Sequence, residues 1–239
     1  MFIKLLDYKI FSGTKDQLLK LIDEKVKVNI ISGNPEILYT GLKNKDLFKE
    51  FTSKNSLIIP DGVGTVIASK FLGTPVNEKI AGIEVLAKLL KKAEKEGKKV
   101  YFLGSKKDIL NVCIENVIES YPELKISGYH NGFFDLENCN EIIKSINENK
   151  TDYLFIAMGC PRQEIFIKKY MKDLNCQVFM GVGGSFDVIA GNVQRAPRWM
   201  INLGMEWLYR TIKEPFRIKR LQSIPKFLFI VLKTKMKRR

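Results

Sequence analysis

Histidine is nearly absent from this 239-residue chain, His130 being the single example. The four cysteines, Cys113, Cys139, Cys160 and Cys176, lie 26, 21 and 16 residues apart with no C-x-x-C pair. These scarcities argue against a zinc site and leave reduced thiols as the expectation. No triad partners gather around His130, which reads as a strand-end polar residue. Long apolar runs are missing too. The N-terminal MFIKLLDYKI reaches Asp7 after a few apolar residues, too soon for a signal-peptide core or a membrane span, and FLFIVL near the C-terminus is far too short to span. A cytoplasmic location is therefore expected. The chain has no D-x-D pair of the sort that holds a divalent ion on a nucleotide diphosphate, and no G-x-x-x-x-G-K-[ST] loop. The run beginning at Gly181 falls short of G-x-G-x-x-G because its sixth position is Phe186. A P-loop ATPase is excluded, a nicotinamide-dependent oxidoreductase is disfavoured, and neither a metal nor a cofactor is expected.

What is present is positive charge, unevenly placed. The net charge is +14, and from Trp207 onward eleven Lys or Arg face the single acid Glu214. Such a tail either meets an anionic surface or ligand or is a merely solvated basic helix. The apolar fraction of 45% fits a globular body with a full core.

Short β-rich apolar runs at residues 27 to 32, 56 to 60, 98 to 105, 125 to 130, 152 to 159 and 177 to 184 read as strands, and stretches at 84 to 97, 106 to 121 and 136 to 150 read as helices. Their alternation predicts an α/β fold with a mainly parallel sheet flanked by helices. After residue 195 the alternation stops. Residues 199 to 236 read as two helices broken near Pro215 and interrupted again at Pro225. The expected organisation is a body over 1 to 195 and a helical basic appendage over 196 to 239.

Ligands of such sheets bind beyond the carboxyl ends of the strands. There GVGGSFD offers Gly183 and Gly184, which either make a structural turn or let backbone approach a phosphate. Asp61 in PDGVG is either turn chemistry or a general base toward a hydroxyl. In MGCPRQE, Pro161 suits a first helical turn, which places Arg162 and Gln163 on the same rim as Asp61, while Glu164 complements the helix dipole.

Together, PDGVG, MGCPRQE, GVGGSFDVIAGNVQRAPRWM and GMEWLYRTIKEPFRIKR resemble the WecG/TagA/CpsF family of bacterial glycosyltransferases, over nearly the whole chain. The resemblance implies a Rossmann-like core, a C-terminal appendage that meets the membrane, and inverting, metal-independent transfer of a sugar from a UDP donor. The sugar is typically N-acetylmannosamine or its uronic acid, and the acceptor is undecaprenyl-diphosphate-linked N-acetylglucosamine. By motif, Asp61 matches the base, Gln163 the polar residue beside the reacting sugar and Asn34 the asparagine of a T-x-N element. Phe133 and Asp187 match nucleotide contacts, and Arg210, Arg217 and Arg220 match appendage arginines that would stabilise departing UDP. The chain departs from the pattern with Ser32 for threonine, Lys79 for arginine and Phe133 for tyrosine.

The tail then divides its labour. Its more N-terminal arginines face a diphosphate and its last lysines and arginines face an anionic bilayer, which makes the protein peripheral on the inner face of the cell membrane. Nucleic acid is not an expected partner, since the body shows no recognition module. A homo-oligomer is compatible with the sequence. Two alternatives stay open: the same chemistry with another donor such as UDP-glucose, and a non-catalytic nucleotide-sugar-binding module that docks on membranes.

Overall fold

Strand β5 (Lys99–Gly104) sends Val100 and Phe102 into one core and Tyr101 and Leu103 into another. Strand β7 (Tyr153–Ala157) divides Tyr153 and Phe155 from Leu154 and Ile156 in the same way. Successive side chains of a strand point to opposite faces, so a run apolar throughout must be covered on both. In the computed structural model, which describes residues 1 to 213 and 221 to 237, both faces are covered. The remaining strands are β1 (Phe2–Leu5), β2 (Tyr8–Phe11), β3 (Val28–Ser32), β4 (Ser56–Ile59), β6 (Lys125–His130) and β8 (Val178–Gly181). They form one eight-stranded sheet in the order β1-β2-β4-β3-β8-β7-β5-β6, parallel except for the β1–β2 hairpin.

Helices α1 (Lys15–Asp23), α5 (Gly82–Glu96) and α6 (Lys107–Ser120) cover one face. The other carries α2 (Pro35–Lys43), α3 (Lys45–Phe51) and α4 (Val63–Phe71) at one end, and α7 (Asn140–Glu148) with α8 (Arg162–Tyr170) at the other. All six expected strands form, and so do the three expected helices. The N-terminal hairpin has no clear signal in the sequence, because FIKL and YKIF are short and are identified as strands only by their pairing.

After β8 come α9 (Ser185–Ile189), α10 (Arg198–Asn202), α11 (Glu206–Lys213) and α12 (Ser223–Lys237). Pro225 does not interrupt the last of these. It is the third residue of α12, within the first turn, where a missing N–H breaks no intrahelical bond. Nor does α12 stand apart from the body. Phe227 and Val231, one helical turn apart, are buried in the core built by α2, α3 and α4, while Phe229, Leu232 and Met236 are exposed. Pro215, Arg217 and Arg220 lie outside the described residues.

The chain leaves β3 toward β4 on one side and returns to β8 from β7 on the other. This reversal opens a crevice beyond the strand ends, between the loops after β3 and β8.

Candidate active site

Asp61 lies just after β4, and Ser32 ends the neighbouring β3. The register aligns Ser32 with Ile59, and this brings the two side chains together. The Ser32 hydroxyl donates a hydrogen bond to Asp61 Oδ2. The first turn of α5 abuts the pair: a Cβ added to Gly82 would lie 3.3 Å from Ser32 Oγ and 3.6 Å from Asp61 Oδ2. Asp61 Oδ2 thus lies by the N-terminus of this 15-residue helix, the positive end of its dipole, which no side chain caps. Asn34 caps α2, its Oδ1 accepting from Ile37 N at 3.0 Å.

On the other side of the crevice is the turn after β8. Gly183 has φ 51°, and a Cβ there would meet nothing within 4 Å, so this backbone is open to an incoming group. Beneath it, Gln163 is 2% exposed rather than presented to the crevice. Its Oε1 accepts from Gly183 N at 3.1 Å, and its Nε2 donates to Glu164 Oε1 at 2.8 Å. The amide lies flat on β8, and a Cβ on Gly181 would come within 2.5 Å of Nε2. Glu164 is 5% exposed, and its Oε2 has no hydrogen-bond partner among the described residues. Burial raises its pKa from 4.5 to about 7, against the pull of the hydrogen bond from Gln163. It is a buried partner of Gln163, not the solvated helix-dipole acid that its place in the first turn suggested.

The crevice continues into a cleft of about 800 Å3 lined by Ser105, Lys106, Phe133, Met158, Arg162 and Asp187, among others. Phe133 is 73% exposed, and its backbone N–H donates to Asn131 Oδ1 at 2.9 Å. Arg162 is committed to its own loop. Nη2 donates to Phe134 O and, at 3.3 Å, to Gly132 O, with the guanidinium 5.3 Å from the Phe134 ring centre. It shapes the cleft by holding the segment that carries Phe133.

Lys79, which stands where the family pattern has an arginine and is expected among the substrate-binding residues, donates from Nζ to Ile201 O at 3.3 Å, in the last turn of α10. Nearby, Arg195 lies 3.7 Å from Glu84 of α5 and 3.5 Å from Glu206 of α11, and Lys15 lies 2.7 Å from Glu84. Burial pushes the Glu84 carboxyl up, but Lys15, Arg195 and Lys79 outweigh it and hold the group below its ordinary value. The turn between α10 and α11 packs closely on the start of α4, for a Cβ on Gly204 would lie 2.7 Å from Val63 Cγ2. The first part of the tail is thereby fixed beside Asp61. Arg210 falls on α11, though its side chain is outside what the structure describes.

The structure thus brings Ser32, Asp61 and Asn34 to one side of the crevice, Gly183 and Gly184 to the other, and Phe133, Arg162 and Asp187 to the adjoining cleft. Sequence reading missed Gly82, Arg195, Glu84 and the true place of Glu164. Only Arg195 carried a signal, as a charge within the motif GVGGSFDVIAGNVQRAPRWM. Among the described residues no three His, Cys, Asp or Glu side chains gather as a metal-binding group, and no helix is long and apolar enough to cross a membrane.

Known proteins share much of this sequence. A Bacillus subtilis protein named N-acetylglucosaminyldiphosphoundecaprenol N-acetyl-beta-D-mannosaminyltransferase is 41% identical over 212 residues, which cover 89% of this chain and 82% of that one. Proteins of the same name from Bacillus spizizenii, 38% identical with 89% and 81% covered, and Staphylococcus aureus, 36% identical with 87% and 81% covered, are also similar. The model of the glycosyl transferase WecG/TagA/CpsF family matches residues 3–239, which takes in the Asp61 pair, the Gly183 turn, the Phe133 cleft and the basic tail. The chain belongs to that family of glycosyltransferases.

Proposed function

We propose that the protein transfers N-acetylmannosamine from UDP-N-acetylmannosamine to undecaprenyl-diphosphate-linked N-acetylglucosamine, in cell-surface polysaccharide or teichoic acid synthesis at the cytoplasmic face of the membrane. The observation that carries this reading is the hydrogen-bonded Ser32–Asp61 pair on the same sheet edge as a cleft with an exposed aromatic ring. The names of the relatives supply the sugars.

In this reading the uracil stacks on Phe133 with Asp187 beside it, and the diphosphate runs toward the Gly183–Gly184 turn. Lys106 and the uncapped start of α6 supply positive potential along the way. Asp61 takes the proton of the acceptor hydroxyl. That oxygen attacks the anomeric carbon from the face opposite UDP, the carbon–oxygen bond to UDP breaks with its electron pair leaving on the β-phosphate, and the configuration inverts. Ser32 orients Asp61, and Asn34 offers its amide to a sugar hydroxyl. Arg210, Arg217 and Arg220 stabilise the departing diphosphate, a task suited to forked, permanently charged guanidinium groups. Gln163 acts from below, through the Gly183 turn.

The membrane contact is assigned to the outer face of α12. Exposed Phe229, Leu232 and Met236 lie beside Lys226, Lys233 and Lys237, and a groove of about 590 Å3 between α2 and α12 is lined by Tyr39, Lys43, Phe229 and Lys233. Apolar residues set among lysines suit an anionic lipid surface.

The test is a donor panel of UDP-N-acetylmannosamine, UDP-N-acetylmannosaminuronic acid and UDP-glucose against a synthetic lipid-diphosphate N-acetylglucosamine, read by mass spectrometry. N-acetylmannosamine transfer with inversion is the expected result. Transfer of another sugar would overturn the donor assignment, and UDP binding without any turnover would reduce the protein to a binding module.

A further inference from the structure

Glu164 is a buried acid for which the reaction has no direct use. An amide side chain has two ends of nearly equal size and opposite hydrogen-bonding sense. Gln163 can support the Gly183 turn in one orientation only, with Oε1 toward the Gly183 N–H. The reverse would set the Nε2 donors against that N–H. Gly181, on which the amide lies, presents no side chain to tell its two ends apart: a Cβ there would come within 2.5 Å of Nε2. The group that does choose is Glu164, whose Oε1 accepts from Gln163 Nε2 at 2.8 Å and whose carboxylate form can only accept. Both side chains are buried, so water cannot substitute for this partner.

We propose that Glu164 is a positioning residue for donor binding: by accepting from Gln163 Nε2 it fixes the orientation of the amide, and so holds the Gly183–Gly184 turn in the shape that receives the nucleoside diphosphate. The inference rests on the reading of this sheet edge as the donor site. It assigns Glu164 no contact with substrate and no proton transfer. What it requires is a hydrogen-bond acceptor at this position, which a glutamine supplies when its carbonyl, and not its amide nitrogen, faces Gln163.

The test compares Glu164→Leu with Glu164→Gln, measuring UDP affinity by calorimetry, KM and kcat for the donor, thermal midpoint, and hydrogen exchange at the Gly183 amide. Leucine replaces a buried carboxyl with an apolar group of similar size, so the fold is expected to hold. Losing the hydrogen bond to Gln163 should weaken UDP binding and raise the donor KM by about tenfold, with kcat changed less and Gly183 exchanging faster. Glu164→Gln should stay within about threefold of wild type. Equal UDP affinity in the leucine variant and the wild type would overturn the inference, as would a glutamine variant as impaired as leucine. A leucine variant that does not fold, beside a glutamine variant that folds and binds UDP normally, would assign Glu164 to the core alone and also overturn it. A wild type that binds no UDP would remove the donor-site reading itself, and this inference with it.

Discussion

The Ser32 hydroxyl donates to Asp61 Oδ2, which joins the last residue of β3 to the loop after β4. The bond orients the carboxylate and places one of its oxygens against the start of α5. Asp61→Asn should lower turnover by a factor of roughly 10² to 10⁴, the usual contribution of a general base, while UDP affinity and thermal midpoint stay close to wild type. Ser32→Ala should cost about 10- to 100-fold, the value of one hydrogen bond to a charged group. Steady-state kinetics on a water-soluble, short-chain acceptor separates the two. Wild-type turnover in Asp61→Asn would remove Asp61 from the mechanism.

Gly82 gives a prediction in which activity and stability part. Alanine at the start of α5 would crowd Ser32 Oγ at 3.3 Å, and the neighbour must shift by a few tenths of an ångström. Replacing a helical glycine restricts the unfolded chain and favours folding by about 0.5–1 kcal/mol. Gly82→Ala is expected to reduce kcat several-fold without lowering the thermal midpoint. A loss of both in proportion would mean that the residue acts through packing alone.

The two faces of α12 should respond differently. Phe227→Ala empties a buried site and should destabilise the protein by about 3–5 kcal/mol, measured by denaturant unfolding. Truncation before Lys226 would remove Phe227 and Val231 from the core and so confound stability with membrane affinity. Surface changes are cleaner. Lys226→Gln combined with Lys233→Gln should weaken binding to anionic vesicles by about 30-fold, since each basic residue near such a surface contributes about 1 kcal/mol. Turnover on the soluble acceptor should be spared. Unchanged vesicle binding would take this face away from the bilayer.

The Glu164 carboxyl predicts a pH-dependent stability. Its pKa is raised from 4.5 to about 7 by burial, and Glu36 of α2 pushes in the same direction, while the hydrogen bond from Gln163 opposes. The folded protein therefore holds a proton that the unfolded chain releases. The associated stability is complete below pH 4.5, falls as pH rises toward 7 and stays lost above it. Glu164→Gln never ionises, so its stability relative to wild type should grow across that window and level off at about 3 kcal/mol. Parallel denaturation midpoints from pH 4 to 8 would show instead that burial does not shift this group.

Activity should persist in excess chelator, because the chain has no D-x-D spacing and guanidinium groups can carry the leaving-group charge. Strict dependence on added magnesium or manganese, measured after metal stripping, would overturn this.

Six strands were legible because parallel strands buried on both faces need uninterrupted apolar residues, and β7, buried at every position, is such a run. Asp61, Gly183 and Phe133 were legible as candidates because strand-end loops of an open α/β sheet meet at one edge whatever the loop sequences are. The roles proposed for them came through the likeness of whole motifs rather than from single residues. The sequence could not separate Gln163 from its neighbour Glu164. Both are polar and stand in the first turn of α8, and only the packing of that helix on β8 buries them and makes one the partner of the other. Nor could it identify β1 and β2, which gain their hydrogen bonds from each other and from β4. FLFIVL read as one apolar block, but helical periodicity turns Phe227 and Val231 inward and leaves Phe229 and Leu232 outside. Local pattern and charge are written along the chain, so the sequence by itself determined the fold class, the candidate edge and the basic tail. Which amide faces Gly183, which helix start meets Asp61 and which side of α12 is buried depend on contacts between residues far apart along the chain, and only the tertiary structure decided them.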